Sequence, residues 1–128
     1  MIIDEIQGHV FHKVEEGRFD YDHRQQQAII FHRKDGKIVF MTHFQDCCEH
    51  VYVEDINGDL NDLVDTEILS AREEVVRDEA ELGYESLTAT FYHLRTEKGD
   101  VTIRWHGESN GYYSESVDII VRDEGELE

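Results

Sequence analysis

A two-residue alternation of apolar and polar side chains constrains this chain more than any other feature. Val101, Ile103 and Trp105 alternate with Thr102, Arg104 and His106, a pattern that buries one apolar row only when successive side chains point to opposite faces of a strand. Val117, Ile119 and Val121 repeat it near the C-terminus. Residues 87–94 (LTATFYHL) are rich in the β-branched and aromatic types that fit a pleated surface. Residues 28–33 and 37–43 flank Lys34-Asp35-Gly36, and Asp-Gly accepts the positive φ of a hairpin turn. A second hairpin is expected over 96–100 and a third reversal at Asn110-Gly111. Residues 8–14 and 51–55 read as further strands. Asp59 is placed to cap one short helix over 59–64. Segment 67–77 suits a helix or an edge strand equally, and 78–83 reads as an exposed loop. The expected fold is mainly β, with α+β left open: a single antiparallel sheet or barrel-like domain built from hairpins, with one short helix.

Proline is absent and nine glycines are scattered along 128 residues, so no linker divides the chain. One β-rich domain is expected over 1–122, followed by an acidic tail, 123–128. The 30 Asp and Glu outnumber 12 Lys and Arg, for a formal charge of −18. That balance excludes a conventional nucleic-acid binder, which must neutralise phosphates. No apolar run approaches the roughly 20 residues of a spanning helix, so no membrane association is expected. The opening Met1-Ile2-Ile3-Asp4-Glu5 does not read as a signal peptide, and the expected location is cytoplasmic. Cys47 and Cys48 are adjacent; on a strand they would point to opposite faces, so two free thiols are expected. No cofactor is expected.

Three segments could carry chemistry. In residues 43–50, His43, Asp46 and Cys47 are donors a transition metal could draw on, but their spacing matches no common zinc signature. Residues 104–114 gather Arg104, His106, Asn110, Tyr112 and Tyr113 around a turn, groups that could clamp a phosphate, stack on a base or form a protein hot spot. The plainer reading is a core tryptophan beside ordinary turn residues. Between Glu54 and Glu85, twelve acidic residues face Arg72 and Arg77 alone, a net of −10 in 32 residues. Most charge runs are solvated faces. The sharper reading is a phosphate-like surface formed by Glu54, Asp55, Asp59, Asp62, Glu73, Glu74, Asp78 and Glu79, which would occupy the basic groove of a partner.

Residues 45–49 (QDCCE), 51–60 (VYVEDINGDL), 90–92 (TFY) and 103–114 (IRWHGESNGYYS) together resemble an uncharacterised family of small acidic proteins encoded by bacteriophages and prophages. The resemblance implies an accessory protein that inhibits host machinery, including restriction, CRISPR or nucleotide-signalling defences. The expectation is therefore a non-enzymatic, phage-type binding protein that inhibits a host defence protein through an acidic, nucleic-acid-mimicking surface. Its partner would carry a basic surface, and a homo-oligomer stays open. Two alternatives remain: a sponge for a small nucleotide signal, and a metal-assisted enzyme centred on His43, Asp46, Cys47 and His106. The sponge requires a local positive field from Arg24, Arg33, Arg95, Arg104 and Arg122.

Overall fold

The alternation becomes eight strands: β1 (Phe11–Tyr21), β2 (Arg24–Arg33), β3 (Lys37–Thr42), β4 (His50–Asn57), β5 (Ser70–Glu79), β6 (Ser86–Thr96), β7 (Gly99–Ser109) and β8 (Asp118–Asp123). The computed structural model describes residues 2–21, 23–79, 86–111 and 113–123. The strands form two four-stranded sheets, ordered β1-β2-β3-β8 and β4-β7-β6-β5, with every neighbouring pair antiparallel.

The mainly β, hairpin-built class is thus what the structure shows, but its form is two sheets and not one barrel-like sheet. The reason lies in the apolar rows. Tyr92, Leu94, Val101, Ile103 and Trp105 supply one buried face, and Val14, Ile29, Phe31, Val39 and Met41 supply another; the two meet in a single core. Half-buried sheets satisfy each other when stacked. Closure into a barrel would need the edge strands β1 and β8 to pair with the edges β4 and β5, and among the described residues neither does. Instead the chain leaves β3 at Thr42, crosses through an irregular segment, and enters the second sheet at His50. Phe19, Ala28, Ile38 and Phe40 form a second cluster on the other face of the first sheet.

The capped helix shrinks to a single 3-10 turn, Leu60–Leu63, with Asp59 accepting a hydrogen bond from the Asn61 amide. Leu63 joins Ile3, Ile6 and Ile68 in the core between the sheets. Of segment 67–77, residues 70–77 are strand, because Ser70 to Glu79 pair continuously with β6; a ten-residue ladder outweighs the modest helix preference of Ala71-Arg72-Glu73-Glu74. The loop expected at 78–83 therefore begins as strand, and its remainder lies outside the described residues, as does the tail beyond Asp123. The hairpins at 34–36 and 96–100 form as expected, and Gly36 takes a φ of 91°.

Gly107, buried in β7, marks a close approach. A Cβ there would lie 2.8 Å from the Glu115 Cβ and 3.2 Å from its carbonyl oxygen. Glu115 in turn accepts hydrogen bonds from Thr88 Oγ1 at 2.8 Å and from Ser109, which ties the return toward β8 onto β6 and β7. Gly107→Ala is expected to lower unfolding free energy by about 1–3 kcal/mol. An unchanged urea midpoint would contradict the close approach.

Candidate functional site

The irregular crossing between the sheets is organised around a buried acid. His43 Nδ1 donates to the Ser116 carbonyl at 2.7 Å, and Nε2 donates to Glu49 Oε2 at 2.8 Å. Both residues are buried, with Glu49 only 1% exposed. A carbonyl and a carboxylate accept and do not donate, so the ring satisfies both only as the imidazolium. Glu49 also accepts from the amides of Asp46 at 2.8 Å and Cys47 at 2.9 Å. Burial pushes its carboxyl pKa upward, but the amides of Asp46, Cys47 and Glu49 and the His43 ring more than reverse this and hold it at about 2. The segment is irregular, not a strand, so Cys47 and Cys48 come to the same side. They are joined to each other by a disulfide, which corrects the expectation of two free thiols.

These contacts give His43 a structural partner. Asp46 is exposed and contributes its amide to Glu49, and Cys47 is bonded to Cys48. Among the described residues no group of three or more His, Cys, Asp or Glu side chains is placed to hold a metal ion.

The outer face of the β4-β7-β6-β5 sheet carries a denser assembly. Register puts Tyr52 beside His106 and Arg104 beside Phe91. The Tyr52 and His106 rings lie 5.2 Å apart, Arg104 sits 5.5 Å above the Phe91 ring, and Phe91 stacks on His93 at 5.9 Å. Carboxylates border this row. Glu54 lies 3.2 Å from Arg104 and 3.8 Å from His106, Glu74 lies 3.0 Å from His93, and Glu108 stands within 4.0 Å of both His50 and His106. At one end a cleft of about 420 Å³ opens between Cys48, His50, Leu87, Glu108 and Asn110. There the 43–50 and 104–114 segments, far apart in sequence, meet.

The acidic residues singled out from the sequence do not form one row. Glu54 and Asp55 lie on β4 and Glu73 and Glu74 on β5, the two opposite edges of the sheet, with β7 and β6 between them and roughly 14 Å from edge to edge. Asp59 and Asp62 belong to the 3-10 turn. Asp78 and Glu79 end β5, but their side chains lie outside the described residues. Glu73 accepts a hydrogen bond from Tyr92 at 2.7 Å. Of the alternative ligand set, Arg104 and His106 share the outer face, Asn110 lines the cleft, Tyr113 lies in the return to β8, and Tyr112 lies outside the described residues. The arginines required for a phosphate do not converge: Arg33 is held by Glu5 at 2.8 Å and Asp35 at 2.5 Å, Arg24 donates to the Gln45 carbonyl, and Arg122 is on β8. Tyr52 and Phe91 were not foreseen, and Glu49 and Glu108 fall inside the 43–50 and 104–114 segments without a role of their own there. Alternation placed Phe91 and His93 together on one face of a strand; only the cross-strand register brings Arg104 and Tyr52 alongside.

A family model for a domain of unknown function, DUF7448, matches residues 4–119. The chain belongs to that family. No curated protein and no solved structure matches the chain. The DUF7448 match takes in the Glu49 cradle, the outer face and the first two residues of β8.

Glu49→Gln in this DUF7448 domain is expected to lower stability by roughly 3–5 kcal/mol, since it leaves the buried His43 charge without its counter-ion. The folded carboxyl titrates near 2, below its ordinary 4.5. Its contribution is therefore complete above pH 4.5 and is lost as pH falls toward 2. Unfolding free energies of the two proteins across that range should converge on acidification. A gap that does not narrow would contradict the cradle.

Proposed function

We propose that this chain is a non-enzymatic binding protein that docks a protein partner with a basic surface onto the outer face of the β4-β7-β6-β5 sheet. The observation that carries this reading is the arrangement of that face: Tyr52, His106, Arg104, Phe91 and His93 in the middle, with Glu54, Glu74 and Glu108 around them. Protein interfaces concentrate aromatic residues and arginine at their centre and polar groups at their rim. The net charge of −18 steers a basic partner toward the rim and repels an acidic one. In the phage setting implied by the resemblance, the partner is a host defence protein and docking inhibits it. Nucleic-acid mimicry then rests on the bordering carboxylates and not on a continuous row.

The nucleotide sponge is less favoured, because the described lining of the cleft includes Glu108 and neither arginine nor lysine, a setting that repels phosphate. The reading is tested by capture from bacterial lysate at low and high salt, comparing the natural chain with Phe91→Ala, Arg104→Ala and, as a control away from the face, Asp59→Asn. A basic protein retained at low salt should be released at high salt. The two face substitutions should weaken its affinity by about 2 kcal/mol, near thirtyfold, while Asp59→Asn leaves it unchanged. Retention that is indifferent to both face substitutions would overturn the assignment.

A further inference from the structure

We infer that the free edge of β5 is a self-association surface, on which a second copy of this chain pairs antiparallel across a two-fold axis at Val75. The argument begins with the four strands that border the sheets. β1 and β4 carry register shifts, at Phe11/Lys13 and Val53/Asp55, and such bulges spoil an edge for pairing. β8 spans six residues. β5 spans ten, all in unbroken register with β6. Val75 and Val76 on it are each 48% exposed, although an edge strand is where natural proteins avoid exposed apolar side chains.

Backbone direction along β5 follows from one hydrogen bond. The Ala71 amide donates to Gln7 Oε1 at 3.0 Å, so at this position the backbone turns away from β6. Backbone groups of an antiparallel strand alternate in direction residue by residue. Glu73, Val75 and Arg77 therefore direct their N–H and C=O groups outward as well. Gln7 covers the edge at Ala71; among the described residues nothing covers it at these three.

Charge then selects the register. With Val75 opposite its own copy, Glu73 falls across from Arg77 of the second chain and Arg77 across from Glu73. All are outward-directed, so each pair can exchange both backbone hydrogen bonds. Directly opposed residues share a face, and the valines meet at the axis between two opposite-charge pairs. The same register sets Arg72 across from position 78, an aspartate. Moving the axis by one residue, to Glu74, would instead oppose Glu74 to its own copy, a like-charge contact. The overall charge of −18 opposes association, but at physiological salt it is screened beyond about 8 Å, whereas directly opposed side chains act within that distance. The product is one continuous eight-stranded sheet of C2 symmetry. The inference stands independently of what binds the outer face.

Sedimentation velocity of the full chain over a concentration series tests it. The natural chain should show a reversible monomer–dimer equilibrium. Glu73→Arg and Arg77→Glu should each weaken self-association about tenfold or more, since each opposes like charges at both symmetry-related positions. Mixed in equal amounts, those two variants should form a heterodimer, because every altered position then meets an opposite charge. Val75→Pro should abolish the dimer while keeping the monomer's circular dichroism and melting behaviour, as an outward-facing N–H on an edge can be lost without breaking the ladder to β6. A natural chain that stays monomeric throughout, a dimer unaffected by Val75→Pro, or two single variants that fail to associate when mixed would each overturn the proposal. If Val75→Pro fails to fold, the assignment of backbone direction is wrong and the proposal falls with it.

Discussion

The ion pair between His43 and Glu49 is the contact on which the arrangement of the two sheets depends. Residues 43–49 carry the chain from one sheet to the other without a ladder of their own, and unpaired backbone groups in such a crossing would be costly once buried. Glu49 resolves this by gathering the amides of Asp46 and Cys47 on one carboxylate, while His43 connects that carboxylate to the Ser116 carbonyl on the return toward β8. Replacing a buried pair by two apolar groups can be harmless, whereas removing one partner strands the other. The QDCCE run is thus explained by what Glu49 must hold.

With the crossing pinned, β4 enters the second sheet at a defined register, and that register builds the outer face. Tyr52 reaches His106, and Glu54 meets Arg104, because β4 pairs with β7 as it does. Glu115 supports the same strand from the other side by accepting from Thr88 and Ser109. The aromatic and cationic centre of that face and its carboxylate border are therefore products of the crossing as much as of the strands. The acidic residues singled out between 54 and 79 are split between the two edges of the sheet and the 3-10 turn.

Much of the fold was legible because burial imposes a period of two. Trp105, Ile103 and Val101 announced β7, and Asp35-Gly36 announced the turn before β3. What could not be read was which strands pair across the chain, since β7 lies between β4 and β6 and nothing local encodes that order. Segment 67–77 was ambiguous because Ala71-Arg72-Glu73-Glu74 has helical preference and its ladder with β6 is a tertiary effect. Glu49 lay inside the 43–50 segment, but its role was hidden for a similar reason: its value lies in amides and a histidine that only the folded crossing assembles. The site was half legible. Arg104 and His106 were singled out from their own segment, while Tyr52, Phe91 and His93 belong to other strands.

Hydrogen–deuterium exchange at the amides of Asp46 and Cys47 tests the central claim most directly. Both residues have exposed side chains and sit in an irregular segment, where amides ordinarily exchange fast. If the buried Glu49 carboxylate holds them, they should exchange as slowly as interior amides of β6 and β7. Exchange at the rate of an unprotected loop would show that the crossing is not anchored by this ion pair.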